Sequence, residues 1–250
     1  MDLGLRGARA LVTAGSKGIG RSCAAALVAE GARVVISSRD ADQLARTERE
    51  ISASGHVVAD LNSVDERGRL VDKAVRILGG LDILILNFPQ PAIGTLDQVP
   101  GGAWEAGYQS IVQCAVDLMT AALPHLRMAG RGRIVQITGI AAREPSPGFV
   151  VSAAYRSAVT AMAKALSSQV AKDGITINNL APGSILTDQL RVRLEQRPDG
   201  VANLAASIPA GRIGAPEDVA AACVFLCSTQ ASYITGQTIG IDGGALKGAH

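Results

Sequence analysis

The chain has 250 residues, 48% hydrophobic and 18% charged, with a formal net charge of +2. That balance belongs to a compact folded protein and not to a disordered one, and its Lys and Arg residues form no cluster of the kind a nucleic-acid partner needs. Aromatic residues make up only 3%, so the core is expected to be aliphatic and Ala-rich; no apolar run nears the roughly 20 residues that span a bilayer.

Along the chain, short β-branched runs alternate with longer helical patterns. Ala8–Thr13 reads as the first strand, preceded by no charged-then-apolar signal pattern, so a cytoplasmic protein is expected. A glycine-rich turn then leads into a helix over Gly20–Glu30. Strands follow at Arg33–Ser37 and His56–Ala59, a helix at Val64–Leu78 and a strand at Leu81–Leu86. After an irregular, Pro- and Gly-containing stretch, Phe88–Gly102, come a long helix, Ala103–Met128, and a strand, Arg133–Thr138. The last part reads as a helix at Ser152–Lys172, a strand at Thr176–Leu180 and an irregular stretch at Gly183–Ala210. A helix at Glu217–Thr229 and a strand at Thr238–Ile241 complete it.

This alternation predicts right-handed βαβ units in a Rossmann-type α/β fold, a doubly wound parallel sheet forming one domain over residues 1–250. Ligands of such sheets bind beyond the carboxyl ends of the strands, where the two irregular stretches would frame a site. Cys23, Cys114, Cys223 and Cys227 show no C-x-x-C pair and no metal-ligand spacing, so reduced core thiols and no metal site are expected.

Thr13, Gly15, Ser16, Lys17, Gly18, Ile19 and Gly20 connect the first strand to the first helix. Glycines in such a turn let the backbone approach a pyrophosphate, and the first amides of the helix supply an anion site. The second strand ends in Ser37-Ser38-Arg39. An acidic residue there would accept hydrogen bonds from the ribose of NAD, whereas Arg39, with Lys17, suits the extra phosphate of NADP, so NADP is expected ahead of NAD.

These residues resemble the glycine motif of the short-chain dehydrogenase/reductase family, T-G-x-x-x-G-x-G, with Ala14 at its first glycine. The likeness runs on through Leu123-Pro124-His125, Gly132-Arg133-Ile134-Val135, Asn178-Asn179-Leu180-Ala181-Pro182-Gly183, Gly211-Arg212-Ile213-Gly214-Ala215-Pro216-Glu217-Asp218 and Ile241-Asp242-Gly243-Gly244. It is similar above all to the 3-oxoacyl-carrier-protein-reductase-like branch. The resemblance implies cofactor contacts from Asp60 and Leu61 at the adenine, from Asn87, and from Pro182, Gly183, Ile185 and Thr187 near the nicotinamide. It also implies a homodimer or homotetramer paired through the helices at Ala103–Met128 and Ser152–Lys172.

The family's chemistry uses a Tyr as proton donor, a Lys one helical turn later that lowers its pKa, a Ser on the fifth strand and an Asn on the preceding helix. Alignment from the surrounding motifs puts Ser152, Arg156, Gly139 and Ile111 at those four positions, so the catalytic tetrad is altered. Tyr155 has no Lys a turn later and is expected to point beside the site. The candidates left are Ser152 as hydrogen-bond donor or helix N-cap, Arg156 as anion contact, and Thr138 in place of the serine. Two readings stay open: an NADP-dependent oxidoreductase on a small carbonyl, alcohol or activated alkene with a rearranged proton relay, or a cofactor-binding protein without turnover. A third, that the changed turn holds another ligand, rests on Ala14 and on Phe88-Pro89.

Overall fold

The computed structural model describes residues 2–248; residues 1, 249 and 250 of the expected single domain lie outside them. One parallel sheet carries seven strands in the order β3-β2-β1-β4-β5-β6-β7. They are β1 (Arg9–Val12), β2 (Arg33–Ser38), β3 (Gly55–Val58), β4 (Ile83–Asn87), β5 (Arg133–Ile137), β6 (Thr176–Pro182) and β7 (Thr238–Ile241). All seven expected strands are present, with ends shifted by a residue or two. The order reverses between β1 and β4, which opens a crevice at their carboxyl ends, the place a doubly wound sheet offers a ligand.

Strand residues alternate between two cores. Leu11, Val35, Leu84 and Leu86 face α3 (Val64–Leu78), α5 (Cys114–Ala129) and α6 (Val150–Val170). Ala10, Val12, Val34, Ile36, Ile83 and Ile85 face the other layer, where α1 (Gly18–Ala29) packs on α9 (Pro216–Cys227) through Ala24, Leu27, Cys23 and Cys223. Small side chains at that contact suit close helix packing.

Four expectations need correction. A helix missed in the sequence, α2 (Ala41–Ile51), follows β2; Asp40 caps it by accepting from the Gln43 amide, and Leu44, Thr47 and Ile51 are its buried stripe. The long helix expected over Ala103–Met128 is broken into α4 (Gly102–Gly107), a π-helical turn (Tyr108–Gln113) and α5. The stretch Gly183–Ala210, read as irregular, contains α7 (Asp188–Glu195) and α8 (Gly200–Ala206). Finally, α6 starts at Val150 with Phe149 as its N-cap, so Ser152 lies inside the helix and does not cap it.

Candidate active site

The site is built upward from the β1–α1 turn. The Thr13 hydroxyl bonds the Asn87 backbone, 2.9 Å from both its carbonyl oxygen and its amide. The Gly15 amide donates to the Ser37 carbonyl at 2.9 Å, and the Thr47 hydroxyl donates to the Ser16 carbonyl at 2.9 Å. Thus α2 clamps the turn from outside. Ala14 holds a left-handed backbone, φ +45°. A Cβ on Gly20 would lie 2.3 Å from the Ala14 carbonyl oxygen and 2.8 Å from Asn87 Nδ2, so this crossing needs glycine.

Helix α1 begins with Lys17 as N-cap and has no side-chain capping bond. Its first amides therefore lack intrahelical partners, and they carry the positive end of the helix dipole. Thr187, the N-cap of α7, stands over this point: a Cβ on Gly18 would be 3.2 Å from Thr187 Cγ2. Pre-formed amides, glycine clearance and an adjoining lysine are the donor set that a pyrophosphate requires, so these residues fit a dinucleotide.

A cavity of about 540 Å³ opens from this turn across the carboxyl ends of β4, β5 and β6. Of the residues singled out in the sequence, Lys17, Gly18, Ile19, Asn87, Thr138, Ser152, Arg156, Pro182, Gly183, Ile185 and Thr187 line it. Thr13, Gly15, Ser16 and Gly20 form the frame beneath. Ser38, Arg39, Asp60 and Leu61 lie past its wall, at the ends of β2 and β3. Arg39 is exposed, while Leu61 is buried and its carbonyl accepts from Arg67 Nη1 at 2.7 Å.

Sequence reasoning missed Glu144, Ser146 and Phe149, which line the cavity from the segment before α6. No local pattern marks them. They arrive because the Gly94 amide donates to the Gly148 carbonyl at 2.9 Å and Glu144 Oε1 accepts from the amides of Lys247 and Gly248 at 2.6 and 2.7 Å.

At the inner end sits Arg156, buried on α6. Its Nε donates to Ser152 Oγ at 3.1 Å, and its Nη1 donates to the carbonyls of Ile137, at 3.0 Å, and Thr138. Burial pushes the guanidinium down to about 10, which leaves it charged at neutral pH. Ser152 Oγ accepts from Arg156 and keeps its own proton for a ligand. Thr138 also lines the cavity, and its hydroxyl donates to the Leu180 carbonyl at 3.0 Å. Gly139, expected at the family's serine position, has φ +153°, a conformation glycine tolerates and other residues rarely adopt.

Tyr155 turns away from the cavity, as expected. Its ring packs edge-on against Trp104 at 5.9 Å and Tyr108 at 6.2 Å. Burial, with Glu105 and Tyr108 nearby, raises its phenol above the usual tyrosine range, opposite to what a proton shuttle needs.

With this geometry in hand, the comparisons are specific. A family model described as enoyl-(acyl carrier protein) reductase matches residues 13–245. The dehydrogenase/reductase SDR family member 4 of Bos taurus is 36% identical over 243 residues, covering 95% of this chain and 87% of that protein. The chain belongs to the short-chain dehydrogenase/reductase family. Among solved family structures, the L-sorbose reductase from Gluconobacter frateurii, complexed with NADPH and L-sorbose, superposes with a TM-score of 0.94. It is 29% identical, over 99% of this chain and 100% of that one. An NADPH-bound short-chain oxidoreductase from Pseudomonas aeruginosa PAO1, described as containing an atypical catalytic center, gives a TM-score of 0.90 at 29% identity, over 96% and 97%. The family's fold, with its seven parallel strands, is the fold found here. No helix among the described residues is long and apolar enough to cross a membrane.

Proposed function

We propose that this protein is an NADP(H)-dependent oxidoreductase acting on a small carbonyl, alcohol or activated alkene, with Ser152 and Arg156 in place of the family's phenol and ammonium. One observation carries the reading: the unpaired amides at the start of α1 and the Ser152–Arg156 pair open into the same cavity. The NADPH bound by the sorbose reductase and by the Pseudomonas enzyme supports the choice of cofactor.

In this reading the amides of Gly18, Ile19 and Gly20, with Lys17, hold the pyrophosphate; Ser38 and Arg39 hold the 2′-phosphate. Asp60 and Leu61 border the adenine, while Asn87, Pro182, Gly183, Ile185 and Thr187 border the nicotinamide half. Bound there, the cofactor supplies or accepts a hydride. Ser152 donates a hydrogen bond to a substrate oxygen, and Arg156 holds negative charge at the same place. Thr138 keeps a supporting part, since its carbonyl fixes the guanidinium.

Titration with NADPH followed by a carbonyl, alcohol and enone screen tests the proposal. Saturable binding with cofactor consumption is expected, and Arg39→Asp should shift preference toward NADH. Binding without consumption is the second reading, a non-catalytic cofactor-binding protein, favoured by the absence of any tyrosine from the cavity wall. The protein is further read as a cytoplasmic homo-oligomer paired through α5 and α6. The unbridged state of Cys23, Cys114, Cys223 and Cys227 agrees with a reducing compartment.

A further inference from the structure

Arg156 is a cation buried without a carboxylate. It is 7% exposed, and among the described residues no Asp or Glu lies within ion-pair distance of it. Burial lowers its pKa, and no neighbouring acid raises it again. Its Nε donates to Ser152 Oγ, and its Nη1 to the carbonyls of Ile137 and Thr138. Nη2 donates to no protein atom yet is not sealed off, so it opens on the cavity that the side chain lines. Gly139 leaves the approach clear: a Cβ there would have Arg156 Cδ and the Pro182 carbonyl oxygen as its nearest neighbours, each at 3.8 Å.

A buried charge left uncompensated is costly unless an opposite charge and hydrogen bonds meet it. The open donors are the Nη2 N–H groups and the Ser152 hydroxyl, whose oxygen already accepts from Nε. One positive charge with two adjacent donor groups matches a carboxylate, which is singly charged and has two acceptor oxygens. A phosphate monoester would bring nearly two negative charges to one fixed cation. The cofactor does not provide the charge. Its phosphates are assigned to the start of α1, and nicotinamide is neutral when reduced and cationic when oxidised.

The other ionisable groups on the cavity wall leave Arg156 open. Lys17 belongs to the phosphate turn. Asp188 follows Thr187 at the start of α7, by the Gly18 end, and is exposed; Arg193 lies further along that helix. Glu144 enters from the segment before α6, where its Oε1 accepts from the Lys247 and Gly248 amides. Neither acid is within ion-pair distance of the guanidinium, so its free side is available whatever their charge. Phe88, Ile137, Ile140 and Phe149 make apolar wall in the same cavity.

We infer that the inner end of the cavity is a carboxylate subsite, formed by Arg156 Nη2 and the Ser152 hydroxyl, and that the substrate is an oxo- or hydroxycarboxylic acid with an apolar body. The subsite stands on Arg156 and its surroundings; calling its occupant a substrate rests on the function proposed above.

Calorimetric titration of benzoate and its neutral isostere benzamide, into the free protein and into protein saturated with NADP⁺, tests the subsite. Wild-type protein should bind benzoate at least about tenfold more tightly than benzamide, the range one charge-assisted hydrogen bond supplies. Arg156→Met should bind the two alike, whereas Arg156→Lys, which keeps the charge, should retain part of the preference. Ser152→Ala should weaken benzoate about fivefold, as the loss of one hydrogen bond does. Turnover gives a second readout: 2-, 3- and 4-oxo acids are compared with their methyl esters as substrates for NADPH oxidation. At least one acid should exceed its ester in kcat/KM by about tenfold or more, with benzoate competing against it, and Arg156→Met should erase that preference.

Equal binding of benzoate and benzamide by the wild-type protein overturns the inference, and that comparison needs no variant to fold. So does an undiminished benzoate preference in Arg156→Met, or esters consumed as well as their acids. If NADPH fails to bind while benzoate is still preferred, the subsite stands and the functional proposal falls, so the two failures are told apart.

Discussion

Ala14 carries a left-handed backbone where the family's phosphate motif has glycine. An L-residue pays about 1–2 kcal/mol for that conformation, partly offset because glycine loses more freedom on folding. Ala14→Gly is therefore expected to stabilise the protein by about 1 kcal/mol, raising Tm by about 2–4 °C at this chain length; calorimetric melting checks it, and a lower Tm would mean the turn gains something from the methyl. Gly20 is the opposite case. Its missing Cβ is what lets Ala14 and Asn87 approach, so Gly20→Ala should weaken NADPH binding by at least about tenfold, or about 1.4 kcal/mol, in a fluorescence titration. At this scale the glycine turn was legible, because residue identity alone carries it. The partners of Thr138 and Arg156 were not. Whether the Thr138 hydroxyl donates to Leu180 or to a substrate depends on the β5–β6 register, which no local pattern states.

Among elements, the π-helical turn between α4 and α5 is held by Arg67 of α3, which is fully buried. Its Nη1 donates to the carbonyls of Leu61 and Gln109, and its Nε pairs with Asp117 at 2.9 Å. Periodicity could not reveal this, since an apolar stripe continues through a π turn with only a shift of phase. The loss of the buried cation in Arg67→Met should cost about 3 kcal/mol in urea unfolding, with a cost below about 1 kcal/mol arguing against the clamp. Helix α2 was missed for another reason: only three of its residues are buried, although the Asp40 cap was a readable signal.

The motif from Gly211 to Asp218, read only as a family likeness, has a plain physical role. Glu217 accepts from the Ser22 hydroxyl at 2.9 Å, tying α9 to α1. The Arg212 guanidinium and then the Ala215 amide hold the Asp218 carboxyl down to about 2. Because the folded value lies below the unfolded one, this contribution is present above about pH 4 and fades as pH falls toward 2. Asp218→Asn should lower Tm at pH 7 and flatten its decline between pH 4 and pH 2; an unchanged acid profile would remove Asp218 from the acid response.

For the whole molecule, the alternation of strands and helices made the doubly wound sheet legible from end to end, since fully covered parallel strands leave continuous apolar runs. The folding of the segment after β6 over the cavity was not, because α7 and α8 are short, and α7, mostly polar, is placed by the contact of its cap Thr187 with the turn below. Burial of all four cysteines, with the Cys114 thiol pushed up to about 12, predicts that none reacts with a thiol reagent until the protein unfolds. The central claim is that the start of α1 grips a phosphorylated dinucleotide at the switch point of the sheet. Isothermal calorimetry of the folded protein with NADPH and NADH tests it most directly. One site per chain with NADPH bound more tightly than NADH is the expected result, and no heat of binding from either cofactor would contradict the account.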